Sequence, residues 1–195
     1  MPSPSFIIGG ERRSGSTLLY ELTKLHPEID MFHYSDMDFF IESNLFSRIP
    51  IENAEVEEWN GNKRIVDYKS NFNNQNKITG QKDADLLWWK PAHKRLGKHL
   101  PNTKFIFVLR DPTERGLSQY WNEFRKGREK RNFKQAIKDE DSVKLTEWEK
   151  LHLQYKQRGC YVQSLKHLFS YVDPQLCYII ILEKLRDNKK EELTK

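Results

Sequence analysis

The chain has 195 residues, of which 37% are hydrophobic, and it carries a formal net charge of +5. These values exclude global disorder and predict a single domain over residues 1–195 with a modest core. The positive charge favours an anionic partner, but the basic residues are spread along the chain rather than gathered in a tail, so we expect no nucleic-acid partner.

Targeting and metal signals are also missing from the sequence. Met1 to Ser5 has no leader pattern, and no apolar run is long enough to cross a bilayer, so we expect a cytoplasmic protein without a membrane segment. Cys160 and Cys177 lack metal or CxxC spacing, and the 6 histidines form no i, i+3 or i, i+4 pair. We therefore expect two reduced core thiols and no metal site.

Strand and helix patterns alternate along the chain. Apolar runs of strand length lie at Phe6–Ile8, Ile29–Phe32, Lys104–Leu109 and Leu176–Leu182. Sequence patterns predict helices over 16–25, 39–46, part of 85–100, 112–124, 133–156 and 160–171. This alternation predicts a three-layer α/β fold, in which a parallel central sheet is covered by helices on both faces.

A glycine-containing loop, Gly10–Thr17 (GERRSGST), joins the first predicted strand to the first predicted helix. Such a loop brings backbone N–H groups close to an anion, and the helix N-terminus adds further donors and a partial positive charge. In loops that bind a triphosphate, the pattern G-x-x-x-x-G-K-[ST] supplies a lysine; here Ser16 takes its place, and the cations are Arg12 and Arg13. The loop therefore fits a nucleotide that has a single 5′-phosphate better than a triphosphate with Mg²⁺.

A second strand-to-helix junction reads Arg110-Asp111-Pro112 after the apolar run Lys104–Leu109. Arg110 stands at the carboxyl end of its strand, where open α/β sheets bind ligands, and its guanidinium can hold a phosphate through two charge-assisted hydrogen bonds. Ser118, about two helical turns later, can donate one more. Taken alone, Arg110 could instead form a surface salt bridge, and Ser118 could bond a backbone carbonyl.

Together the two segments resemble the sulfotransferases that use 3′-phosphoadenosine 5′-phosphosulfate (PAPS). The loop matches the pattern G-x-x-[KR]-S-G-[ST]-T of that family, and the junction matches R-[DN]-P followed by x-x-R-x-x-S-x-[YW]. The resemblance implies a P-loop nucleotide-hydrolase-like fold and PAPS as co-substrate. It also implies donor contacts from two sets of residues: Arg12, Arg13, Ser14, Gly15, Ser16 and Thr17 in the loop, with Arg110 and Ser118 at the 3′-phosphate.

Three further segments extend the resemblance to most of the chain. Gly80-Gln81-Lys82 is similar to the G-E-K segment of the glycan-modifying, heparan-type branch, whose lysine lies near the sulfuryl group. Arg158–Tyr161 is similar to R-G-x-Y, and Leu182–Leu185 contains the family's E-x-L. No segment after Leu182 matches the family's basic, glycine-containing loop, so we expect either an abbreviated domain or a fragment of a longer chain.

The resemblance implies in-line transfer of a sulfuryl group to a hydroxyl or amine of a small molecule or glycan. Arg13 and Lys82 are the predicted cations that stabilise charge on the leaving nucleotide. Asp36 takes the place of a family glutamate that acts as general base, in a stretch that resembles K-E-x-H-F-F. Asp38 and His33 are the other candidate bases.

Two other functions stay open at this point. One is a catalytically silent protein that binds a nucleotide or an anionic glycan, which the departures at Arg13 and Asp36 would suit. The other is a small-molecule kinase on the same scaffold, against which the missing loop lysine argues.

Overall fold

A computed structural model describes residues 3–32, 72, 76–141 and 145–187. The strands of the described chain are β1 Phe6–Gly10, β2 Ile29–Met31, β3 Ile78–Lys82, β4 Lys104–Leu109 and β5 Cys177–Ile181. Its α-helices are α1 Ser16–Thr23, α2 Lys90–His99, α3 Pro112–Arg125, α4 Phe133–Asp139, α5 Glu147–Leu153, α6 Tyr161–Leu168 and α7 Leu182–Asp187. Two short 3-10 helices lie at Gln157–Gly159 and Pro174–Leu176. No helix in these described ranges has the length and apolar character needed to cross a bilayer.

The five strands form one parallel sheet in the order β2-β3-β1-β4-β5. The central strand β1 pairs with β3 on one side and β4 on the other, with Ile8 opposite both Lys82 and Ile106. Because the strands are parallel, the carboxyl ends of these three strands meet at one edge of the sheet. That edge places the loop after β1 beside the last residue of β3 and the first residues after β4.

The sheet buries an apolar cluster on each face, as the predicted three-layer fold requires. Ile7 packs with Leu96 of α2 and Leu168 of α6 on one face. Its neighbour Ile8 packs with Leu19 of α1 and Leu185 of α7 on the other. Successive side chains of a strand point to opposite faces, so this division confirms that helices cover both sides of the sheet.

One strand was missing from the prediction, because β3 reads Ile-Thr-Gly-Gln-Lys and lacks an apolar run. Thr79 and Gln81 are nevertheless buried, since the strand lies between β1 and β2. Gly80 is needed there because a Cβ at this position would lie 2.4 Å from Cζ of Phe6. Tertiary position has overridden strand propensity here.

Four other expectations are corrected or left open. The long helix predicted within 133–156 is wrong: α4 ends at Asp139, and α5 begins separately after a capping box formed by Thr146 and Glu149. Leu182 begins a helix instead of ending a strand. Both cysteines are free thiols, but Cys160 is exposed and not in the core. The helix predicted over 39–46 lies outside the described residues.

Candidate active site

The loop Gly10–Thr17 after β1, which is predicted to bind a phosphate and is called the phosphate loop below, has two positions whose backbone glycine alone adopts easily. Gly10 has φ 148° and Gly15 has φ 99°. A Cβ at Gly10 would lie 2.5 Å from the carbonyl oxygen of Val108, and a Cβ at Gly15 would lie 2.5 Å from Cδ1 of Leu182. Both positions therefore exclude a side chain on grounds of space as well as of conformation.

Arg13, between these glycines, also has a left-handed backbone, with φ 67°. For a residue with a side chain this conformation costs about 1–2 kcal/mol, and such strain is concentrated at functional sites. Loops of this kind form concave sets of N–H groups that bind anions. Helix α1 begins directly afterwards, and among the described residues no side chain caps its first turn, which leaves its N–H donors suited to a phosphate.

A crevice of about 810 Å³ opens over the loop at the carboxyl edge of the sheet. Most of the predicted site residues line it: Arg12, Arg13, Gly15, Ser16, Thr17, Lys82, Arg110 and Ser118. Ser14 is fully buried within the loop and does not line the crevice. The predicted bases Asp36, Asp38 and His33 lie outside the described residues.

The two predicted phosphate-binding segments contact each other across this crevice. Nε of Arg13 donates to Oγ of Ser118 at 3.2 Å. Nη1 of Arg110 donates to the carbonyl oxygen of Arg13 at 3.4 Å, and its Nη2 forms an ion pair with Glu114 at 3.2 Å. Three groups therefore lie close together in the crevice: the two guanidinium groups and the Ser118 hydroxyl. Each can replace its present protein contact with a contact to an anionic ligand.

Lys82 enters the crevice from the end of β3. Its Nζ donates to Oγ1 of Thr17 at 3.2 Å and lies 5.7 Å from the ring centroid of Tyr20. Burial lowers the pKa of Lys82, although Asp83 and other nearby carboxylates partly oppose this. A lysine with a lowered pKa can give a proton to a leaving oxygen more readily, which the arginine beside it cannot do.

Arg12, unlike Arg13, is held by protein groups. Its Nε and Nη2 donate to the two carboxylate oxygens of Asp85 at 2.7 and 2.8 Å, and its Nη1 lies 2.8 Å from Nδ1 of His152. The two consecutive arginines therefore have different surroundings, although the resemblance predicts donor contacts from both. A donor contact from Arg12 stays a prediction.

One group of crevice-lining residues, which we call the second arm, was not predicted. It consists of Asn122, Glu123, Lys126, Arg128 and His152. Asn122 and Lys126 follow Ser118 at intervals of four residues, so helical periodicity could have placed them on the same face of α3. The position of His152 could not have been inferred, because it comes from a separate helix.

Glu123 in this arm is an anion and not a base. Burial opposes its ionisation, but the contact with His152 and the hydrogen bonds from Arg128 and Asn122 outweigh that effect and lower the pKa of Glu123 to about 2. A carboxylate with so low a pKa is a poor proton acceptor at neutral pH.

Glu11 lies at the start of the loop with no exposed surface. Burial raises its pKa to about 7, although Arg158 and Arg115 oppose this, and the nearby charge of Asp85 adds to the rise. The carboxyl group of Glu11 thus takes up a proton far more readily in the folded protein than its ordinary pKa of 4.5 would allow.

The raised pKa of Glu11 predicts a pH-dependent stability. Between pH 4.5 and about 7 the folded state holds a proton that the unfolded state has lost, so the free energy of unfolding falls as the pH rises, by up to about 3 kcal/mol. Glu11→Gln should remove this slope, whereas Glu28→Gln, at an exposed site, should retain it. Urea unfolding at steps of half a pH unit measures the free energy of unfolding of the wild type and of both variants. If this free energy has the same pH dependence in the wild type and in Glu11→Gln, the prediction is contradicted.

Comparisons with known proteins agree with this geometry. The profile of the Sulfotransferase family matches residues 4–195. The membrane-associated sulfotransferase kil1 of Dictyostelium discoideum is 33% identical over 117 residues, which cover 60% of this chain and 22% of that protein. The bifunctional heparan sulfate N-deacetylase/N-sulfotransferase 4 of Mus musculus is 32% identical over 124 residues, which cover 60% of this chain and 13% of that protein. The chain therefore matches 22% or less of the length of these two relatives.

Solved structures support the fold. A crystal structure of a sulfotransferase from Alicyclobacillus acidocaldarius has a TM-score of 0.71 at 18% identity, covering 99% of this chain and 78% of that one. The sulfotransferase domain of the Synechococcus PCC 7002 olefin synthase has a TM-score of 0.57 at 16% identity, covering 99% and 71%. At these identities the likeness concerns the fold, and it confirms the predicted α/β class.

Proposed function

Because the chain belongs to the sulfotransferase family, we propose that it transfers a sulfuryl group from PAPS to a hydroxyl or amine of an acceptor by in-line displacement. The observation that carries this proposal is the contact of Arg13 with Ser118 at 3.2 Å and of Arg110 with Arg13 at 3.4 Å. It brings the loop proposed for the 5′-phosphate and the residues proposed for the 3′-phosphate into one crevice, as a nucleotide with anionic groups at both ends requires.

Each end of the donor has suitable partners. The N–H groups of Gly15 to Thr17 and the guanidinium of Arg13 bind the 5′-phosphosulfate. Arg110 and Ser118 bind the 3′-phosphate, and Arg110 exchanges its exposed partner Glu114 for the ligand. The exchange costs little, since an exposed ion pair of this kind contributes about 1 kcal/mol or less.

The reaction places negative charge on the oxygen that bridges phosphorus and sulfur in the leaving nucleotide. Arg13 stabilises this charge electrostatically, and Lys82 adds a second cation that can also donate a proton. The acceptor must lose its proton as it attacks. Asp36 is the proposed base, with Asp38 and His33 as the other candidates.

The names of the relatives support an acceptor group on a glycan. Several are heparan sulfate N-sulfotransferases, whose acceptor group is an amine. The net charge of +5 and the presence of Lys126 and Arg128 along the second arm are compatible with an anionic glycan. We therefore propose a glycan amine or hydroxyl as the acceptor and, as a separate proposal from the sequence, a cytoplasmic location.

Binding of adenosine 3′,5′-bisphosphate, the product nucleotide, tests the proposal. A ligand that binds only the folded state raises its stability by about 2.7 kcal/mol at 100 times its Kd, so millimolar nucleotide should raise the Tm by several degrees. Arg110→Ala should weaken binding about 10- to 100-fold, because it removes charge-assisted hydrogen bonds to the 3′-phosphate. Thermal unfolding with a nucleotide titration measures both effects.

Arg125→Ala is the matched control, because Arg125 is the last residue of α3, the helix that follows Arg110, is exposed and does not line the crevice. It should leave the nucleotide affinity unchanged. A wild-type Tm that does not respond to the bisphosphate would contradict the proposal, and a larger response to Mg²⁺-ATP would favour a kinase. Binding without transfer of radiolabelled sulfate to polysaccharides that have free amines would favour a silent binding protein.

A further inference from the structure

Arg158, outside the crevice, is a fully buried cation near the loop. Its side chain has no exposed surface, yet it binds two carboxylates. Nε and Nη2 lie 3.0 and 2.9 Å from Oε2 of Glu11, and Nη2 lies 2.6 Å from Oδ1 of Asp85. The indole of Trp88 lies 4.5 Å from its Cζ, which adds a cation–π contact.

Of the two carboxylates that bind Arg158, one belongs to the phosphate loop and the other contacts it. Glu11 belongs to the loop, directly after β1, and Asp85 holds Arg12 through two hydrogen bonds of 2.7 and 2.8 Å. One arginine of the 3-10 turn at Gln157–Gly159 is therefore connected to two consecutive loop residues that lie about 146 positions earlier in the chain. We call Glu11, Arg12, Asp85 and Arg158 the loop-support network.

The loop-support network separates the roles of the two consecutive arginines. With Arg12 bound to Asp85, the next residue takes the left-handed backbone, and its side chain reaches Ser118. Arg115, fully buried in α3, donates to the carbonyl oxygen of Arg12 at 3.3 Å and so also holds the backbone of this residue. The sequence of the pair Arg12-Arg13 does not indicate which of the two side chains faces a ligand. The difference comes from Asp85, which binds Arg12 and not Arg13.

We propose that Arg158 is a positioning residue: by binding Glu11 and Asp85 together, it fixes Arg12 against Asp85 so that Arg13 is the arginine that faces the donor. A buried ion pair is weak evidence for added stability, because desolvation offsets much of the attraction. The ion pair nevertheless fixes how these groups are oriented, because the planar guanidinium donates hydrogen bonds to both carboxylates at fixed angles. The effect on donor binding rests on the proposed function, whereas the effect on the loop is a property of the ligand-free protein.

Hydrogen–deuterium exchange of the ligand-free protein tests the positioning role. Arg158→Lys keeps the charge but cannot bridge both carboxylates, so the amides of residues 11–17 should exchange about tenfold faster. Glu11→Gln keeps the Asp85 pair and should give a smaller increase, about threefold, in the same peptide. Leu168→Ala is the control for loss of stability, because this core residue of α6 packs with Ile7 and Leu96; it should speed exchange in α6 and these neighbours more than in residues 11–17.

The affinity for adenosine 3′,5′-bisphosphate provides a second readout. Arg158→Lys should raise its Kd about tenfold, while Leu168→Ala leaves the Kd unchanged at a temperature at which both variants are folded. Wild-type exchange over residues 11–17 in both Arg158→Lys and Glu11→Gln would overturn the inference. If Arg158→Lys does not fold, Glu11→Gln decides alone. The loop of Arg158→Lys could exchange faster while the wild-type protein does not bind the bisphosphate. That result would support the positioning role and reject the proposed donor.

Discussion

Arg13→Ala is expected to lower kcat for sulfuryl transfer about 100- to 1000-fold, the range found when a donor to transition-state charge is removed. Its guanidinium is exposed in the crevice and bonds only lightly to Ser118, at 3.2 Å, so it is available to the bridging oxygen. Affinity for the bisphosphate should fall much less, about tenfold, because the loop N–H groups and Arg110 remain. Initial rates with radiolabelled PAPS, with calorimetric titration of the bisphosphate, separate the two effects.

Arg13→Lys should retain most of the activity, within about tenfold, because lysine supplies the same charge and can also donate a proton. Arg125→Ala, on the exposed face of α3, should leave kcat at the wild-type value. A kcat for Arg13→Ala within threefold of the wild type would show that another cation carries the transition-state charge. Lys82 would then be the leading candidate, since it also lines the crevice.

The parts of the site that the sequence predicted are those whose chemistry is local. A tight anion-binding turn needs Gly10 and Gly15 at a fixed spacing directly after a strand, and the structure shows the steric reason at both positions. An arginine at a strand end and a serine two turns along a helix are equally local, so Arg110 and Ser118 could be placed before any fold was known. Parallel pairing of β1 with β4 then brings the two segments together.

The parts that the sequence missed depend on contacts between distant residues. Strand β3 is polar, and only its place between β1 and β2 makes it a strand. The environment of Arg12 depends on Asp85, which lies 73 residues later, and that of Glu11 depends on Arg158, which lies 147 residues later. Periodicity and short motifs carry no information about which buried charges will pair at such separations.

Two arginines at the second junction connect the ends of the proposed donor site. Arg110 donates to the carbonyl oxygen of Arg13, and Arg115 donates to that of Arg12. The backbone of the phosphate loop is therefore anchored to the segment that contains Arg110 and Ser118, the residues proposed to bind the other phosphate. A change at either segment should alter affinity for both ends of the nucleotide, so the effects of substitutions in the two segments should not be additive.

Gly15→Ala is expected to abolish donor binding and to destabilise the fold by about 2–4 kcal/mol. A left-handed backbone at alanine costs about 1–2 kcal/mol, and the added methyl group would lie 2.5 Å from Cδ1 of Leu182, a core residue. The loop must shift to relieve this contact, which moves the N–H donors away from the 5′-phosphate. We expect the Kd for the bisphosphate to rise more than about 100-fold, because several hydrogen bonds to one phosphate are lost together.

Gly127→Ala is the control that separates the conformational cost of Gly15→Ala from its steric cost. Gly127 also has a positive φ, 70°, but no atom of the described residues lies within 4 Å of the place its Cβ would occupy. The Gly127→Ala variant should lose about 1 kcal/mol of the free energy of unfolding, measured with urea, and keep the wild-type nucleotide affinity. Adding Leu182→Ala to Gly15→Ala removes the clash but not the strain, so part of the affinity should return. If Gly15→Ala binds the bisphosphate as tightly as Gly127→Ala does, the loop N–H groups do not hold the 5′-phosphate.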